Sequence, residues 1–310
     1  MLNVGVLLAL AEHLLAPLVI VVWVAVARAM SRLEAVLMTL VGTASVTFVW
    51  LAGPLWIWIG SFWPAVVAVL LVGAGLRLAG RTASRPWRPQ FGLRDRRIVI
   101  PFAVLCALAV ENGLALAGRS TSETPVTLEW PLRDGSFTVI HGGSTAVLNH
   151  HHGVPAQNYA LDVVAVNGLG MRARGLMPAQ LDRYRIFGMP VHAPCAGEVV
   201  AARDGIADGM TPSAGLASAA GNYAAIYCQG RTILLAHFKD GTLAVKPGER
   251  VETGHVIGRV GSSGNSSEPH LHIQADAGRV DDPVAMITTA RGVPMTFSGR
   301  FLVRNDVVRN

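Results

Sequence analysis

Four apolar stretches crowd into the first 118 residues, and each is long enough to cross a bilayer as a helix. They run from about Val4 to Ala27, Ala35 to Leu55, Trp58 to Leu78 and Ile98 to Leu116. An apolar helix needs either lipid or a large protein core around it. Four such segments in 118 residues leave no room for that core. The sequence therefore predicts an α-helical membrane region with four transmembrane helices over residues 1–118.

The links between the stretches carry the orientation. Arg28 and Arg32 lie between the first and second. The next link, Gly53-Pro54-Leu55-Trp56, is uncharged and has the tryptophan of an interfacial belt. The third gathers Arg77, Arg81, Arg85, Arg88, Arg94, Arg96 and Arg97. Lys and Arg stay on the cytoplasmic side. The N-terminus and everything after residue 118 are thus predicted to lie on the extracytoplasmic side of the membrane. Charge supports this division. Residues 1–118 hold nine arginines against four carboxylates, whereas residues 119–310 hold 17 basic and 16 acidic side chains. A basic cluster set between two membrane segments reads as a cytoplasmic loop, so no nucleic-acid partner is expected. The first stretch lacks a basic start and is followed by further spans, unlike a signal peptide. Glu12, His13 and Glu111 fall toward the outer ends of their spans, where water reaches them, and read as structural. Cys106 reads as a small buried hydrophobe.

From Arg119 the composition changes. Residues 119–134, with Ser120 to Pro125, read as a linker. Residues 135–310 are Gly-rich and broken into short apolar runs. Ala196 to Ala202, Tyr223 to Cys228, Thr232 to His237 and His270 to Ala275 read as strands. Asp204-Gly205, Asp240-Gly241 and Pro247-Gly248 are turn signals. The result is a mostly antiparallel β domain, with a short helix expected over Met177 to Tyr184. Cys195 and Cys228 lie in this domain and can pair in an oxidising compartment.

Three elements in the β domain carry chemistry. In His270-Leu271-His272, residues two apart on a strand share a face, so both imidazoles can reach one cavity. His150-His151-His152 precedes the run Tyr159 to Val166, which contains Asp162. A carboxylate in a buried strand is costly unless it is paired or metal-bound. His237 ends a third strand. Each alone has a plain structural explanation. Together they offer the two imidazoles and one carboxylate of a catalytic zinc site, which keeps one position for water.

At this point the sequence resembles the lysostaphin-type (LytM-like) zinc metallopeptidases that cut bacterial peptidoglycan. The likeness lies in Val191-His192-Ala193-Pro194, Gly197-Glu198-Val199-Val200, Gly221-Asn222-Tyr223, Leu235-Ala236-His237, Val245-Lys246-Pro247-Gly248 and Val251-Glu252-Thr253-Gly254. It closes with the run Gly261 to His272 and covers about residues 135–295. The resemblance implies a small antiparallel β fold with a groove over the metal. It also implies Zn2+ as cofactor, peptidoglycan peptides as substrate, and hydrolysis of their peptide bonds. Carried over by position, Asp162 and His272 bind zinc with one histidine of the 150–152 run. His237 and His270 form the non-ligand catalytic pair. Asn149-His150-His151 resembles a longer-loop branch of the family, which favours His151, with His150 and His152 left open. The segment from Asn167 to Met189 looks like an insertion that covers the groove. Membrane lipid and proteins of cell-wall remodelling are the other expected partners. The second reading is a non-catalytic activator or sensor of cell-wall hydrolysis.

Overall fold

Alternation of apolar and polar residues decides where the chain presents its chemistry, and the computed structural model shows it most clearly in the strands that meet at the centre of the β-sheet. Residues 11–53, 56–88, 94–210 and 215–310 are described. The chain divides into two units, Met1–Leu116 and Ala117–Asn310.

In the first unit, three helices are long and apolar enough to cross a membrane: Arg32–Ala52, Trp63–Thr82 and Arg96–Ala117. The sequence predicts four. The first expected span begins at Val4, and its residues before Ala11 lie outside the described residues. What is described of it is a π-helical turn, Ala11–Leu15, and an 11-residue helix, Ala16–Val26. The Glu12 and His13 side chains also lie outside the described residues. Helix Arg32–Ala52 starts at Ser31, whose hydroxyl accepts the Glu34 N–H at 3.2 Å and so satisfies one orphan donor of the first turn. Its Gly42 lets a neighbour approach closely: a Cβ there would meet Val24 Cγ2 at 2.9 Å. Val24, Leu71 and Leu78 pack between the helices. The outward faces remain apolar, with Val69, Val72 and Leu76 exposed. Glu111 is exposed. So is Cys106, against the expectation of burial.

The second unit is built on a nine-stranded sheet. The strands described in the unit are β1 (Val126–Leu128), β2 (Ser136–His141), β3 (Leu161–Val166), β4 (Pro190–His192), β5 (Gly197–Arg203), β6 (Asn222–Cys228) and β7 (Arg231–Phe238). They continue with β8 (Arg250–Val251), β9 (Val256–Arg259), β10 (Leu271–Ala277), β11 (Gly292–Val293), β12 (Met295–Phe297), β13 (Arg300–Phe301) and β14 (Val307–Arg309). The main sheet runs β14-β2-β3-β10-β7-β6-β5-β8, with β11 on β10. Every pairing within it is antiparallel. Smaller pairings join β1 to β12 and β4 to β9.

One face of the sheet is the core. Phe137, Val163, Ile226, Ile233, Leu235, Leu271 and Ile273 bury together on it. The period of two then sends His272, Gln274 and Asp276 of β10, and Asp162 of β3, to the opposite face. Cys195 and Cys228 form a disulfide across 33 residues, tying the turn before β5 to the end of β6. The helix expected over Met177 to Tyr184 is reduced to a 3-10 turn, Leu181–Arg183. Pro178 and the bridge between Ala173 and Tyr184 hold the rest extended or turned.

Candidate metal centre

Strand register assembles the centre. In the β3–β10 pairing Asp162 stands directly opposite His272. On the other side of β10, His272 stands opposite Ala236 of β7. The next residue, His237, would face the core in a regular strand. It adopts φ +64° instead, a left-handed conformation tolerated by few residue types besides Gly, Asn, Asp and His. That twist brings Ala236 and His237 to the same cavity. His270 immediately precedes β10 and reaches the site from its edge. The 3-10 turn His150–Gly153 supplies the last group, and Asn149 caps it by accepting the His151 N–H at 3.1 Å.

Asp162 is the hub. Its Oδ2 lies 2.9 Å from His151 Nε2 and its Oδ1 lies 2.9 Å from His272 Nδ1. His270 Nε2 stands 3.7 Å from Oδ1. The ligand atoms of His151, Asp162 and His272 all fall within 4.8 Å of one another. Burial alone would raise the Asp162 carboxyl. The facing imidazoles of His151 and His270, with hydrogen bonds from His151 and His272, overcome it and hold the group well below the usual carboxylate range. For His272 burial lowers proton affinity, and the bonds to Asp162 and Gln274 more than reverse it, so the net direction is upward. A position that favours a proton beside a buried carboxylate favours a metal cation for the same Coulombic reason. Two imidazoles and a carboxylate are also the donor types zinc accepts.

Hydrogen bonds set which nitrogen each histidine offers. His272 Nε2 lies 3.0 Å from Gln274 Oε1. Gln274 Nε2 donates to Ala156 O, Met286 O and Asp276 Oδ2 at 3.1, 2.8 and 2.9 Å. Its amide orientation is thereby determined: Oε1 accepts from His272 Nε2–H, and Nδ1 is the ring nitrogen turned to Asp162. His237 Nδ1 donates to Ser263 O at 2.8 Å, and His270 Nδ1 donates to Glu268 O at 2.9 Å. Carbonyls only accept. Both rings therefore keep a free Nε2 lone pair. Burial first, then His270 and His272, push His237 well below the ordinary histidine range, so it is a neutral base at physiological pH.

A second group, His141, His150 and Asp162, also brings ligand atoms within 4.8 Å. The β2–β3 register puts His141 opposite Asp162. Here Arg304 Nη2 donates to His141 Nδ1 at 2.5 Å. Burial lowers His141 to about 2, and burial with His151 lowers His150 to about 4. A guanidinium in contact with His141 opposes a divalent cation there, which leaves the His151 group as the better metal site. His152 is turned away, its Nδ1 3.4 Å from Asn158 O.

The cavity over the histidines measures about 430 Å3. Its walls come from Val154 and Pro155 on one side, Leu216 and Ala219 on another, and Ile287 and Thr288. No described residue of 167–189 lines it, so the expected covering role of that segment is not seen. Asn265 lines the cavity, yet its backbone N–H is already donated to Ala219 O at 2.9 Å. Gly264 packs so closely on Gly221 that a Cβ would lie 2.3 Å from the Gly221 nitrogen, so this turn is structural at its backbone. Sequence reading passed over Gln274, Asp276, His141 and Arg304. The first two had a visible signal: polar residues at every second position in His272-Ile273-Gln274-Ala275-Asp276.

Several solved structures are similar to this chain. A zinc-containing peptidase from Vibrio cholerae is 19% identical, covering 49% of this chain and 37% of that one, with a TM-score of 0.30. The catalytic domain of lysostaphin from Staphylococcus simulans is 23% identical, covering 43% of this chain and 74% of its own, at 0.27. The catalytic domain of the prophage-encoded M23 protein EnpA from Enterococcus faecalis, as a mutant, is 17% identical, covering 53% and 92%, at 0.32. The chain thus spans just over a third of the Vibrio cholerae peptidase. Residues 184–283, about a third of the chain, match the family model described as Peptidase family M23, and over those residues the C-terminal unit is similar to that family.

Proposed function

We propose that the chain is a membrane-anchored zinc metalloendopeptidase that hydrolyses peptide bonds of bacterial peptidoglycan. The observation that carries the reading is the convergence of His151 Nε2 and His272 Nδ1 on the two oxygens of one buried carboxylate, Asp162. In this reading those three residues hold the metal. A zinc ion bound there supplies Lewis-acid polarisation of a peptide carbonyl and acidifies a water molecule.

The protein's own groups do the rest. His237 lines the cavity and His270 stands beside Asp162, its Nε2 3.7 Å from Oδ1, with the Nδ1 of each ring fixed by the carbonyls of Ser263 and Glu268. Either can accept the proton of the attacking water and return it to the leaving amine. Once protonated, either can donate to the oxygen that gains charge. Gln274 keeps His272 in the tautomer that offers Nδ1. The walls formed by Val154, Pro155, Leu216 and Ile287 seat an extended peptide and keep bulk water away. The apolar helices and the arginines of 77–97 support anchoring with the β unit outside the cytoplasm, where peptidoglycan is.

The direct test uses the full chain in detergent, supplied with zinc. It should release soluble peptides from purified cell-wall sacculi, and both a chelator and His272→Ala should abolish the release. Absence of bound metal in the fresh protein would sink the reading. Zinc-loaded protein that leaves sacculi intact but stimulates another hydrolase would establish the activator role instead.

A further inference from the structure

Arg172 is the most deeply buried Lys or Arg among the described residues of the β unit, its side chain 1% exposed. It belongs to the 167–189 segment and lies outside the family match at 184–283. Its guanidinium grips one carboxylate. Nε donates to Glu268 Oε1 and Oε2 at 2.8 and 3.0 Å, and Nη2 donates to Oε2 at 2.7 Å. Nη1 donates to Leu176 O at 3.1 Å. The cation also sits 5.6 Å from the centre of the Tyr184 ring. A buried ion pair of this kind adds little net stability over an apolar pair of the same volume. What it supplies is geometry, since a guanidinium fork holds a carboxylate in one orientation.

Glu268 is the residue whose main-chain carbonyl takes the His270 Nδ1 hydrogen. The Ser266 hydroxyl donates to the same carbonyl at 2.8 Å. The chain of contacts therefore runs from Arg172 through the Glu268 side chain to the Glu268 carbonyl and on to His270. We propose that Arg172 is a positioning residue: by clamping Glu268 it holds the carbonyl that sets the tautomer and aim of His270. The 167–189 segment then acts as a brace behind the catalytic loop, not as a lid over the cavity. This inference rests on the peptidase reading for its effect on rate, but its structural half stands apart from that reading.

The test uses the full, zinc-loaded chain in detergent, with histidine selectively labelled with 15N. In the wild type His270 should show a single tautomer with the hydrogen on Nδ1. Arg172→Met should convert it to a mixture. On a peptide substrate, Arg172→Met should lower kcat about 100-fold, the scale on which small displacements of a catalytic group act, with KM and zinc content near wild type. Because a lone Glu268 left buried would threaten folding, the matched pair Arg172→Met with Glu268→Gln is made as well. It should be as slow as Arg172→Met alone, since both remove the same clamp. A variant that loses thermal stability yet keeps wild-type kcat and a single His270 tautomer overturns the proposal. If the wild type itself hydrolyses nothing, the peptidase reading fails, while the tautomer measurement still decides whether Arg172 positions His270.

Discussion

Replacing Gln274 with leucine tests how His272, the proposed metal ligand, is held. Leucine has nearly the volume of glutamine, so the strand keeps its packing and loses only its polar contacts. Four contacts disappear together: the acceptor for His272 Nε2 and the donors to Ala156 O, Met286 O and Asp276 Oδ2. Gln274 is 1% exposed, so water does not replace them. Each buried polar group left without a partner costs about 1–3 kcal/mol, and the variant should lose several kcal/mol of stability. The sharper effect is on the metal. Without an acceptor at Nε2, the His272 ring is free to rotate and to carry its hydrogen on Nδ1, the atom that faces Asp162. Loss of such an outer partner lowers metal affinity about 10–100-fold, equivalent to roughly 1.4–2.7 kcal/mol. Zinc competition against a chromogenic chelator measures this in the full chain. Gln274→Glu retains an acceptor in the same place and should bind zinc more tightly than the leucine variant. A leucine variant that binds zinc like the wild type would refute the orienting role.

Three further outcomes follow from the same geometry. Asp276 is buried, and that burial lifts its carboxyl from 3.8 to about 7. The folded state thus binds the proton more tightly than the unfolded chain, and the stability this confers fades as pH rises from about 4 to about 7. Asp276→Asn has no such loss, so its Tm relative to wild type should climb between pH 4 and pH 8, by a free energy on the order of 4 kcal/mol; a difference independent of pH would contradict the assignment. Opening the Cys195–Cys228 disulfide, which spans 33 residues, should cost about 3–4 kcal/mol, read as a fall in Tm for the double alanine variant. Finally, His151→Ala should weaken zinc binding by orders of magnitude, whereas His150→Ala and His152→Ala should change it by less than about tenfold; the reverse ranking would move the site to the His141 group.

Much of this was legible because strands write their faces in a period of two. The four predicted strand runs correspond to β5, β6, β7 and β10 with ends shifted by one or two residues. The register of β3 on β10, which alternation along one strand does not give, sets Asp162 opposite His272; alternation read further along β10 would have found Gln274 and Asp276. Other features depend on contacts between distant segments and leave no local trace. The left-handed twist at His237 arises where β6 and β7 shift register between Asn222 and Tyr223. The meeting of His141, Arg304 and Asp162 needs three segments far apart in sequence. The 167–189 segment looked like a cover for the groove because nothing in its composition reveals that Arg172 points inward to Glu268. Counting apolar residues gave four spans, yet the helix Ala16–Val26 has 11 residues and the chain before Ala11 is outside the described residues.

The central claim is that one zinc ion is held by His151, Asp162 and His272. Anomalous diffraction collected on either side of the zinc absorption edge, from crystals of the full chain grown with zinc, tests it without recourse to activity. A single peak about 2.0–2.2 Å from His151 Nε2, an Asp162 oxygen and His272 Nδ1 is the predicted result. A peak between His141 and His150, or none at all with zinc in excess, would contradict the account.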